Sequence, residues 1–242
     1  EFSLLDVGQG LSAVIQTREN TLVYDAGARF SERFNIGDAV ITPYLRDKSI
    51  TQISMLMISH GDNDHIGGAN RLIEQFKIDR ILTSVPEKLS ISSAERCYAG
   101  QQWNWDGVEF EVLHPPLESN FTGNNASCVL KVSSAQGSVL LTGDIERQAE
   151  KSLINNMREQ IKADILLAPH HGSKTSSSNE FIAKTAPDHA VISAGYRNRF
   201  GFPKQDIMSR YEAHGVETLV TYMTGEISMK FSTAGLIIEQ FR

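Results

Sequence analysis

Four side chains able to bind metal ions fall close together in one short segment. The sequence His-Gly-Asp-Asn-Asp-His, which follows an apolar run and precedes a helix-period segment, supplies His60, Asp62, Asp64 and His65. Alternate residues of an extended loop point to opposite sides, so neutral imidazoles and hard carboxylate oxygens can here reach two different ions. The spacing therefore predicts a two-metal site at a strand-to-helix turn.

Two other interpretations explain less of this segment. Asp62 and Asp64 have the spacing of the first and third ligands of an EF-hand loop. That loop requires Glu at its twelfth position, where this chain has Ile73, and the fifth position is Ile66. A polar loop in which Asp64 caps a helix explains one carboxylate and leaves the histidines unexplained.

Two later apolar runs end in side chains of the same kind. Asp144 follows the run 139–141, and His170 and His171 follow the run 165–168. A carboxylate at the end of a strand also commonly caps a helix, here one that begins near Glu146. By itself the position favours a cap, whereas together with the 60–65 segment it favours a metal ligand.

The elements that position these residues can be read from hydrophobic periodicity. Short apolar runs that end at turn residues predict strands, and apolar residues three or four apart predict helices. Both ends of the chain are strand-rich, and Gly225-Glu226 links 218–223 with 227–231, which favours two face-to-face sheets over one doubly wound sheet. We therefore expect an α/β fold, a four-layered αββα sandwich. Strands are predicted over 13–16, 21–24, 55–58, 108–113, 128–132, 139–141, 165–168, 190–193, 218–221 and 227–231, and helices over 68–76, 147–154, 179–185 and 204–213.

Length and composition predict a single domain over residues 1–242. The chain is 40% hydrophobic and 21% charged, enough to bury a full core. No apolar run approaches the roughly 20 residues of a membrane-spanning helix, and the pattern of a signal peptide is missing. Because the chain begins without Met, inside an apolar strand-like run, we expect it to be a piece of a longer protein.

Charge and cysteine content narrow the functions. The net charge of −6 argues against a wide Lys/Arg surface for sequence-independent DNA binding. It does not exclude a nuclease, since two divalent ions add about four positive charges at one point. Cys97 and Cys128 are too few for a disulfide framework, and a single bridge and two structural thiols are equally compatible with the sequence.

The segment His-x-Asp-x-Asp-His-x-Gly-Gly resembles the metallo-β-lactamase superfamily signature His-x-His-x-Asp-His, with Asp62 in place of the second His. Oxygen in place of nitrogen shifts the preference toward Mn²⁺ or Mg²⁺ without excluding Zn²⁺. The resemblance implies two divalent ions, with Mn²⁺ favoured, and makes Asp144 the bridging ligand. It also makes one of the paired histidines a ligand of the second ion; we expect His170 in that role, with His171 as the alternative.

The superfamily has a further His ahead of the bridging aspartate, and the corresponding stretch 124–130 contains none. Ser127 best matches the position, as a weak ligand at most. His114 is the nearest spare imidazole and is expected to be structural. The first ion is therefore expected to have a weak set of protein ligands: His60, Asp62 and Asp144.

Further motifs extend the resemblance over nearly the whole chain. Asp-Val-Gly-Gln-Gly at 6–10, Tyr-Asp-Ala-Gly at 24–27, Thr-Gly-Asp at 142–144 and Pro-His-His-Gly-Ser at 169–173 resemble the C-terminal domain of the ComEC family of competence proteins. In that family the domain is attached to a polytopic membrane channel that passes one DNA strand inward, and it is proposed to degrade the other strand. The resemblance implies a metal-dependent deoxyribonuclease on the periplasmic side of a bacterial inner membrane. Its partners would be single-stranded or duplex DNA and the channel of the same parent protein, with no lipid contact by this domain.

Other side chains are expected to act on the substrate. Asp64 is placed to take a proton from the attacking water, and His171 is expected to face the substrate, so both are candidate catalytic residues. The segment 196–204 resembles a family motif that often has His before Pro, where Phe202 stands here. Its arginines are either a phosphate grip or a solvated basic face. The expected phosphate contacts are Ser173, Lys174, Thr175, Arg197 and Arg199.

Two other functions are compatible with this fold. One is a small-molecule hydrolase, either a phosphodiesterase or a lactonase, and the other is a non-catalytic module for channel assembly. The Ser-Lys-Thr loop at 173–175 and the basic segment 197–204 favour a phosphate substrate over a lactone. A scaffold has no reason to keep several metal-binding side chains together, which favours the enzyme.

Overall fold

Two mixed β-sheets packed face to face make up the middle of the molecule, as a computed structural model of residues 1–242 shows. The strands are β1 (Phe2–Leu4), β2 (Ala13–Gln16), β3 (Thr21–Tyr24), β4 (Gln52–Ile58), β5 (Lys77–Thr83), β6 (Glu95–Arg96), β7 (Gln102–Trp105), β8 (Val108–His114), β9 (Val129–Ser134), β10 (Gly137–Leu141), β11 (Ile165–Leu167), β12 (His189–Ile192), β13 (Glu217–Val220), β14 (Glu226–Ser232) and β15 (Gly235–Phe241). One sheet has the order β15-β14-β1-β2-β3-β4-β5-β6, and the other has the order β13-β12-β11-β10-β9-β8-β7.

The helices lie outside the two sheets. They are α1 (Thr42–Asp47), α2 (Asn63–Ile66), α3 (Ala69–Gln75), α4 (Arg147–Asn156), α5 (Asn179–Thr185), α6 (Gln205–Ala213) and α7 (Thr221–Thr224). In α6 the buried residues Ile207 and Tyr211 are four apart, so one face of the helix packs on a sheet. None of the helices has the length and apolarity that a bilayer crossing requires.

Three apolar layers hold these elements together. The layer between the sheets contains Tyr24 and Phe110, both almost fully buried. Leu72 of α3 packs on the outer face of the first sheet, and Phe181 of α5 and Tyr211 of α6 pack on that of the second. Each large side chain buried in this way stabilises the fold by roughly 1.5–3 kcal/mol. The expected four-layered α/β sandwich is confirmed.

The end of the chain differs from the prediction. The segment 218–223 is not a continuous strand, because β13 ends at Val220 and the helical turn α7 follows. The link at Gly225-Glu226 therefore crosses between sheets: β13 pairs in parallel with β12, whereas β14 pairs with β1 and β15. An apolar pattern indicates a strand but carries no information about which sheet the strand joins.

The two cysteines form a disulfide between the sheets. Cys97 follows β6 at the edge of the first sheet, and Cys128 precedes β9 in the second. Both side chains are fully buried. Of the two possibilities that the sequence leaves open, the structure contains the bridge.

Candidate metal centre

The expected ligands meet at one end of the sandwich. β3 and β4 run parallel in the first sheet, and β10, β11 and β12 run parallel in the second. Residues that follow the carboxyl ends of parallel strands lie along the same edge of a sheet, where α/β proteins commonly bind ligands. The polar residues that follow these five strands are Asp25, His60, Asp144, His171 and Ser193.

Two glycines let the metal-binding loop approach the first sheet. A Cβ atom on Gly68 would collide with the carbonyl oxygen of Ala26, and one on Gly67 would collide with the backbone of Arg29. Only glycine therefore allows α2 to end and α3 to begin against the segment that follows β3. This close approach brings His65 to that segment, where its backbone carbonyl accepts a hydrogen bond from the amide of Ala26 at 2.7 Å.

Two overlapping groups of side chains have the composition of a metal site. His60, His65 and Asp144 form one group, in which the ligand atoms lie within 4.8 Å of one another. Asp64, His65 and His171 form the other by the same measure. Asp144 lies close to both, with Oδ1 at 3.2 Å from Nε2 of His65 and 3.6 Å from Nε2 of His171. The arrangement can hold two cations that share ligands.

Asp25 orients the central histidine of the cluster. Its fully buried carboxylate accepts hydrogen bonds from the amide of Ser59 at 2.6 Å and from the hydroxyl of Ser59 at 2.7 Å. It also lies 2.7 Å from Nδ1 of His65. A proton on Nδ1 satisfies this contact and leaves Nε2 with a free lone pair directed into the cluster, as a metal ligand requires.

The other two histidines are oriented in the same way. Nδ1 of His171 lies 2.8 Å from the carbonyl oxygen of Ser193, and Nδ1 of His60 lies 3.0 Å from the hydroxyl of Ser59. Because the Ser59 hydroxyl donates to Asp25, it accepts from His60. Each imidazole therefore uses Nδ1 to contact the protein and turns Nε2 inward.

Unpartnered atoms in the cluster fit bound cations. Nε2 of His60 and Oδ1 of Asp144 are buried and make no hydrogen bond. Nε2 of His65 and Nε2 of His171 lie only 3.3 Å apart. Buried polar atoms without partners are costly, and here they converge on one space. A donor set of imidazole nitrogens and carboxylate oxygens suits divalent ions, which would supply every missing partner.

The charges of the cluster also favour cations. Burial alone would lower the pKa of His65, but the carboxylates of Asp144 and Asp25 outweigh it and raise that pKa well above its ordinary value. Burial would likewise raise the pKa of Asp144, yet the imidazoles of His65 and His171 hold it well below its ordinary value. An ionised carboxylate at this depth needs nearby positive charge, which bound metal ions supply.

The positions of the paired histidines differ from the expectation that His170 is the metal ligand. His171 is buried, and its Nε2 lies 3.5 Å from Oδ2 of Asp64. His170 is partly exposed, with Nδ1 at 3.0 Å from the Thr175 hydroxyl and 3.4 Å from Oε1 of Glu146. Its Nε2 comes no closer to Asp144 than 3.8 Å. The geometry therefore favours His171 as the ligand and leaves His170 on the open side of the cluster.

Ser127 and Asn125 make hydrogen bonds to the backbone around Asp144. The hydroxyl of Ser127 donates to the carbonyl of Asn124 at 2.7 Å and accepts from the amide of Asp144 at 3.2 Å. It therefore orients the backbone of Asp144 and keeps one oxygen lone pair, so the role of a weak ligand stays a prediction. Asp144 does not cap α4, because the side chain that accepts from the first amides of that helix is Asn125.

Only some of the residues of the loop 173–175 that are expected to contact phosphate lie near the cluster. The hydroxyls of Ser173 and Thr175 lie 3.1 Å apart, and Thr175 reaches His170. Lys174 instead points away and pairs with Asp206 at 2.9 Å on the surface. Such an exposed pair is weak, because water screens both charges, and it holds Lys174 only loosely.

The two arginines expected to contact phosphate lie on aromatic rings. The guanidinium of Arg197 is 5.1 Å from the ring centroid of Tyr196, and that of Arg199 is 4.7 Å from the ring centroid of Phe200. Neither makes a contact with the metal-binding side chains. The residue of this segment that borders them is Phe202, whose ring lies 5.7 Å from that of His170 and 6.4 Å from that of His171.

Asp25 is the functional residue that sequence reasoning missed. The signal was the same as for Asp144, a carboxylate directly after a buried apolar run.

We expect Asp25→Asn to weaken metal binding by about 10- to 100-fold, the range found for residues that orient metal ligands. The carboxylate of Asp25 accepts from the amide and the hydroxyl of Ser59 and from Nδ1 of His65. The side chain of Asn has a single acceptor oxygen for these three donors, so His65 would lose its orientation. Competition with a chromophoric chelator measures the affinity, and Asp38→Asn, a partly exposed carboxylate in the helical turn 37–41 that pairs with Arg71, is the control. Unchanged affinity in a folded Asp25→Asn protein would contradict this role.

His114 lies outside the two metal-binding groups and gives the fold a pH dependence. Its Nε2 donates to the carbonyl of Asn125 at 2.7 Å, and burial lowers its pKa to about 4 from the ordinary value of 6.5. As pH falls below 6.5, His114 takes up a proton in the unfolded chain before it does so in the folded protein. The contribution of His114 to stability is therefore complete above pH 6.5 and is lost as the pH falls toward 4. The loss reaches roughly 3 kcal/mol. In urea titrations at pH 7.5 and 4.5, we expect His114→Gln to lose less stability than the parent; equal losses would contradict the assignment.

Sequence comparison identifies the family. A sequence profile of the metallo-beta-lactamase superfamily matches residues 5–196, and the chain belongs to that superfamily. It is therefore a domain with the fold and the metal-binding site of metal-dependent hydrolases. The resemblance to competence proteins is also confirmed. The chain is 33% identical over 237 residues to competence protein ComA of Neisseria gonorrhoeae and 31% identical over 256 residues to ComE operon protein 3 of Bacillus subtilis.

These alignments cover 98% and 96% of the chain but only 33% of each relative, so the chain spans about a third of their length. Solved structures show the same fold at low identity. The metallo-beta-lactamase fold protein YhfI of Bacillus subtilis is 12% identical with a TM-score of 0.58, covering 90% of this chain and 95% of YhfI. Igni18, a metallo hydrolase of Ignicoccus hospitalis, is 15% identical with a TM-score of 0.55, covering 100% of this chain and 99% of Igni18.

Proposed function

We propose that this domain is a two-metal phosphodiesterase that hydrolyses DNA during DNA uptake and degrades the strand that is not transported. The observation that carries the proposal is the convergence of His60, Asp64, His65, Asp144 and His171 on one space, together with the competence proteins among the relatives. Mn²⁺ is the favoured metal, because Asp62, in place of the second His, makes the donor set richer in oxygen than the superfamily signature.

The residues would divide into two ligand sets. His60 and Asp62, with Nε2 and Oδ2 at 3.7 Å, would hold the first ion, and Asp64, His65 and His171 would hold the second. Asp144 would contact both. When bound, the two ions would activate a shared water and stabilise the negative charge that develops on the phosphate.

The protein groups around the metals would handle the protons. The Asp64 carboxylate is partly exposed and lies at the mouth of the cluster, where it can take a proton from the attacking water. Attack on phosphorus breaks the bond to the leaving ester oxygen, which then needs a proton. His170 is the group for that step: it is partly exposed beside the cluster, and Thr175 and Glu146 hold its Nδ1. The proposal thus exchanges the roles expected for His170 and His171.

The proposed setting is the outer face of a bacterial inner membrane, next to a channel formed by the rest of the parent protein. The disulfide between Cys97 and Cys128 supports an oxidising compartment, since such bonds are rare in the cytosol. The competence proteins to which the chain is similar are about three times its length, which leaves room for a channel portion. DNA would be the substrate, and the channel portion would be the partner.

The function is tested by restoring metals to the stripped protein. The protein would be incubated with end-labelled single-stranded and duplex DNA after addition of Mn²⁺, Mg²⁺ or Zn²⁺ in turn. We expect hydrolysis to return with Mn²⁺ above the others. Cleavage of a small phosphodiester or a lactone without any cleavage of DNA would replace the proposal by a small-molecule hydrolase. No hydrolysis of any substrate would favour a non-catalytic module.

The first metal site is expected to be the weaker one. Ser127 stands where the superfamily has a His, and its hydroxyl is already engaged with Asn124 and Asp144. Dialysis against a mild chelator should therefore leave about one ion per chain, in the site of Asp64, His65 and His171. Elemental analysis that finds two tightly held ions would contradict this expectation.

A further inference from the structure

A row of flat groups leads outward from the metal cluster. The ring of Phe202 is nearly parallel to that of His171, at 20° and 6.4 Å, and the ring of Phe200 is nearly parallel to that of Phe202, at 16° and 5.4 Å. The guanidinium of Arg199 lies over Phe200 at 4.7 Å. We call Phe202, Phe200 and Arg199 the ring ladder. It begins at a metal-binding histidine and ends in solvent.

The ring ladder contributes little to the core of the protein. Phe200 is 41% exposed, and Tyr196, on the same loop, is 69% exposed. Each of the three aromatic rings in the segment 196–204 carries a cation: Arg197 lies on Tyr196, Arg199 on Phe200, and Lys204 on Phe202 at 5.4 Å. This combination of ring faces and positive charge matches a ligand that has both flat aromatic faces and negative charge.

The loop that carries the ring ladder is held in place before any ligand binds. The side-chain amide of Asn198 donates to the carbonyls of Gly195 and Phe202 and accepts from the amide of Phe202 at 3.0 Å. The amide of Lys204 donates to the carbonyl of Gly172 at 2.9 Å, next to the paired histidines. A surface that is already ordered loses little conformational entropy on binding.

We propose that the outer end of the ring ladder, where the exposed plane of Arg199 lies over Phe200, stacks an unpaired base of the DNA strand that leads away from the metal cluster, an inference that rests on the DNA hydrolysis proposed above. Aromatic side chains and arginine planes stack on bases of any sequence, and the cations beside them attract the phosphates. A paired base has both faces covered by its neighbours, so the ring ladder selects single-stranded DNA over duplex. Arg199 acts here through its plane as well as its charge, unlike a phosphate grip.

Matched substitutions separate stacking from hydrophobic contact and from charge. Phe200→Leu keeps an apolar side chain without a ring, Phe200→Trp keeps a ring, and Arg199→Lys keeps the charge without the plane. Ile237→Ala removes a side chain that is 49% exposed on β15, close to the 232–235 turn at the other end of the sandwich. Binding of a fluorescent single-stranded oligonucleotide of about 12 nucleotides, with phosphorothioate linkages that resist hydrolysis, is measured by anisotropy with the metal-loaded protein over a range of salt concentrations.

The proposal predicts a specific pattern of affinities. Phe200→Leu and Arg199→Lys should each raise Kd by roughly 5- to 50-fold, the effect of losing one stacked base. Arg199→Lys should leave the salt slope unchanged, because the charge remains. Phe200→Trp should bind within about twofold of the parent, and oligonucleotide should quench its added fluorescence. Ile237→Ala should bind like the parent, and blunt duplex should respond little to any of the variants.

Other outcomes would contradict base stacking on the ring ladder, and they show whether the stacking proposal alone or the DNA substrate as well has failed. If the parent binds the oligonucleotide and all variants match it, the ring ladder is no DNA site, while DNA hydrolysis by the domain stands. If Arg199→Lys binds normally and Arg199→Ala loses affinity with a salt slope lower by about one, Arg199 is a phosphate contact. If the parent binds neither single strand nor duplex but still hydrolyses a small phosphodiester, the ring ladder and the DNA substrate are both wrong.

Discussion

Asp144→Asn is expected to lower hydrolysis by about a thousandfold or more and to reduce the metal content of the protein. Asp144 lies against both metal-binding groups, and its Oδ1 is a buried atom without a hydrogen-bond partner. The amide keeps the shape of the side chain but removes the charge that a shared ligand supplies. Bound metal ions contribute several kcal/mol of transition-state stabilisation, and each 1.36 kcal/mol corresponds to a factor of ten in rate.

Metal content by elemental analysis and turnover of a small phosphodiester measure the two effects. Asp164→Asn is the matched control. The Asp164 carboxylate accepts hydrogen bonds from the amide and the hydroxyl of Ser138 on the neighbouring strand. It lies at the ends of β10 and β11 that are opposite the metal centre. Its substitution should affect stability and leave metal content unchanged. If Asp144→Asn retained two ions and full turnover, Asp144 would not be a ligand of either ion.

Removal of the disulfide is expected to cost roughly 3–4 kcal/mol of the free energy of unfolding. Cys97 and Cys128 are separated by 31 residues in the sequence, and the bridge limits the freedom of that segment in the unfolded chain. For a domain of this size the loss should lower Tm by roughly 10 °C. The double variant Cys97→Ala with Cys128→Ala, compared with the parent by calorimetry, measures the shift.

The bridge should also support the metal centre. The amide of Cys128 donates to the carbonyl of Ser59 at 2.9 Å, and the hydroxyl of Tyr24 donates to the carbonyl of Cys128 at 2.6 Å. Loss of the bridge should therefore lower metal affinity together with Tm. Reductant should lower the Tm of the parent to that of the double variant and leave the variant unchanged. A parent with two titratable thiols and an unaltered Tm would show that the bridge does not stabilise the fold.

Much of the fold was accessible from local pattern alone. β2, β3 and α5 have the predicted bounds, because each is a short segment whose apolar period is uninterrupted and whose ends are turn residues or a cap. β5 and β15 were not predicted. Charged and exposed residues interrupt the apolar pattern of both, and each becomes a strand by pairing with a neighbour. Pairing across a sheet is a long-range property that composition does not carry.

Residue types and their spacing were enough to predict the chemistry of the candidate centre. His60, Asp62, Asp64 and His65 lie in one segment, and a short segment at the start of a helix has few conformations, so their types and spacing already indicate a two-metal site. The same holds for Asp144, once a carboxylate at the end of a buried strand is considered together with that segment.

Which neighbouring groups complete the candidate centre depends on how the two sheets pack. His170 and His171 are adjacent and both have left-handed backbone angles, with φ of 51° and 53°, so sequence position cannot say which ring turns inward. The choice depends on Ser193, 22 residues away at the end of β12, whose carbonyl accepts from His171. Asp25 reaches His65 across 40 residues in the same way. Such contacts arise only when β3, β11 and β12 are aligned by the packed sheets, because distance along the chain does not determine distance in space.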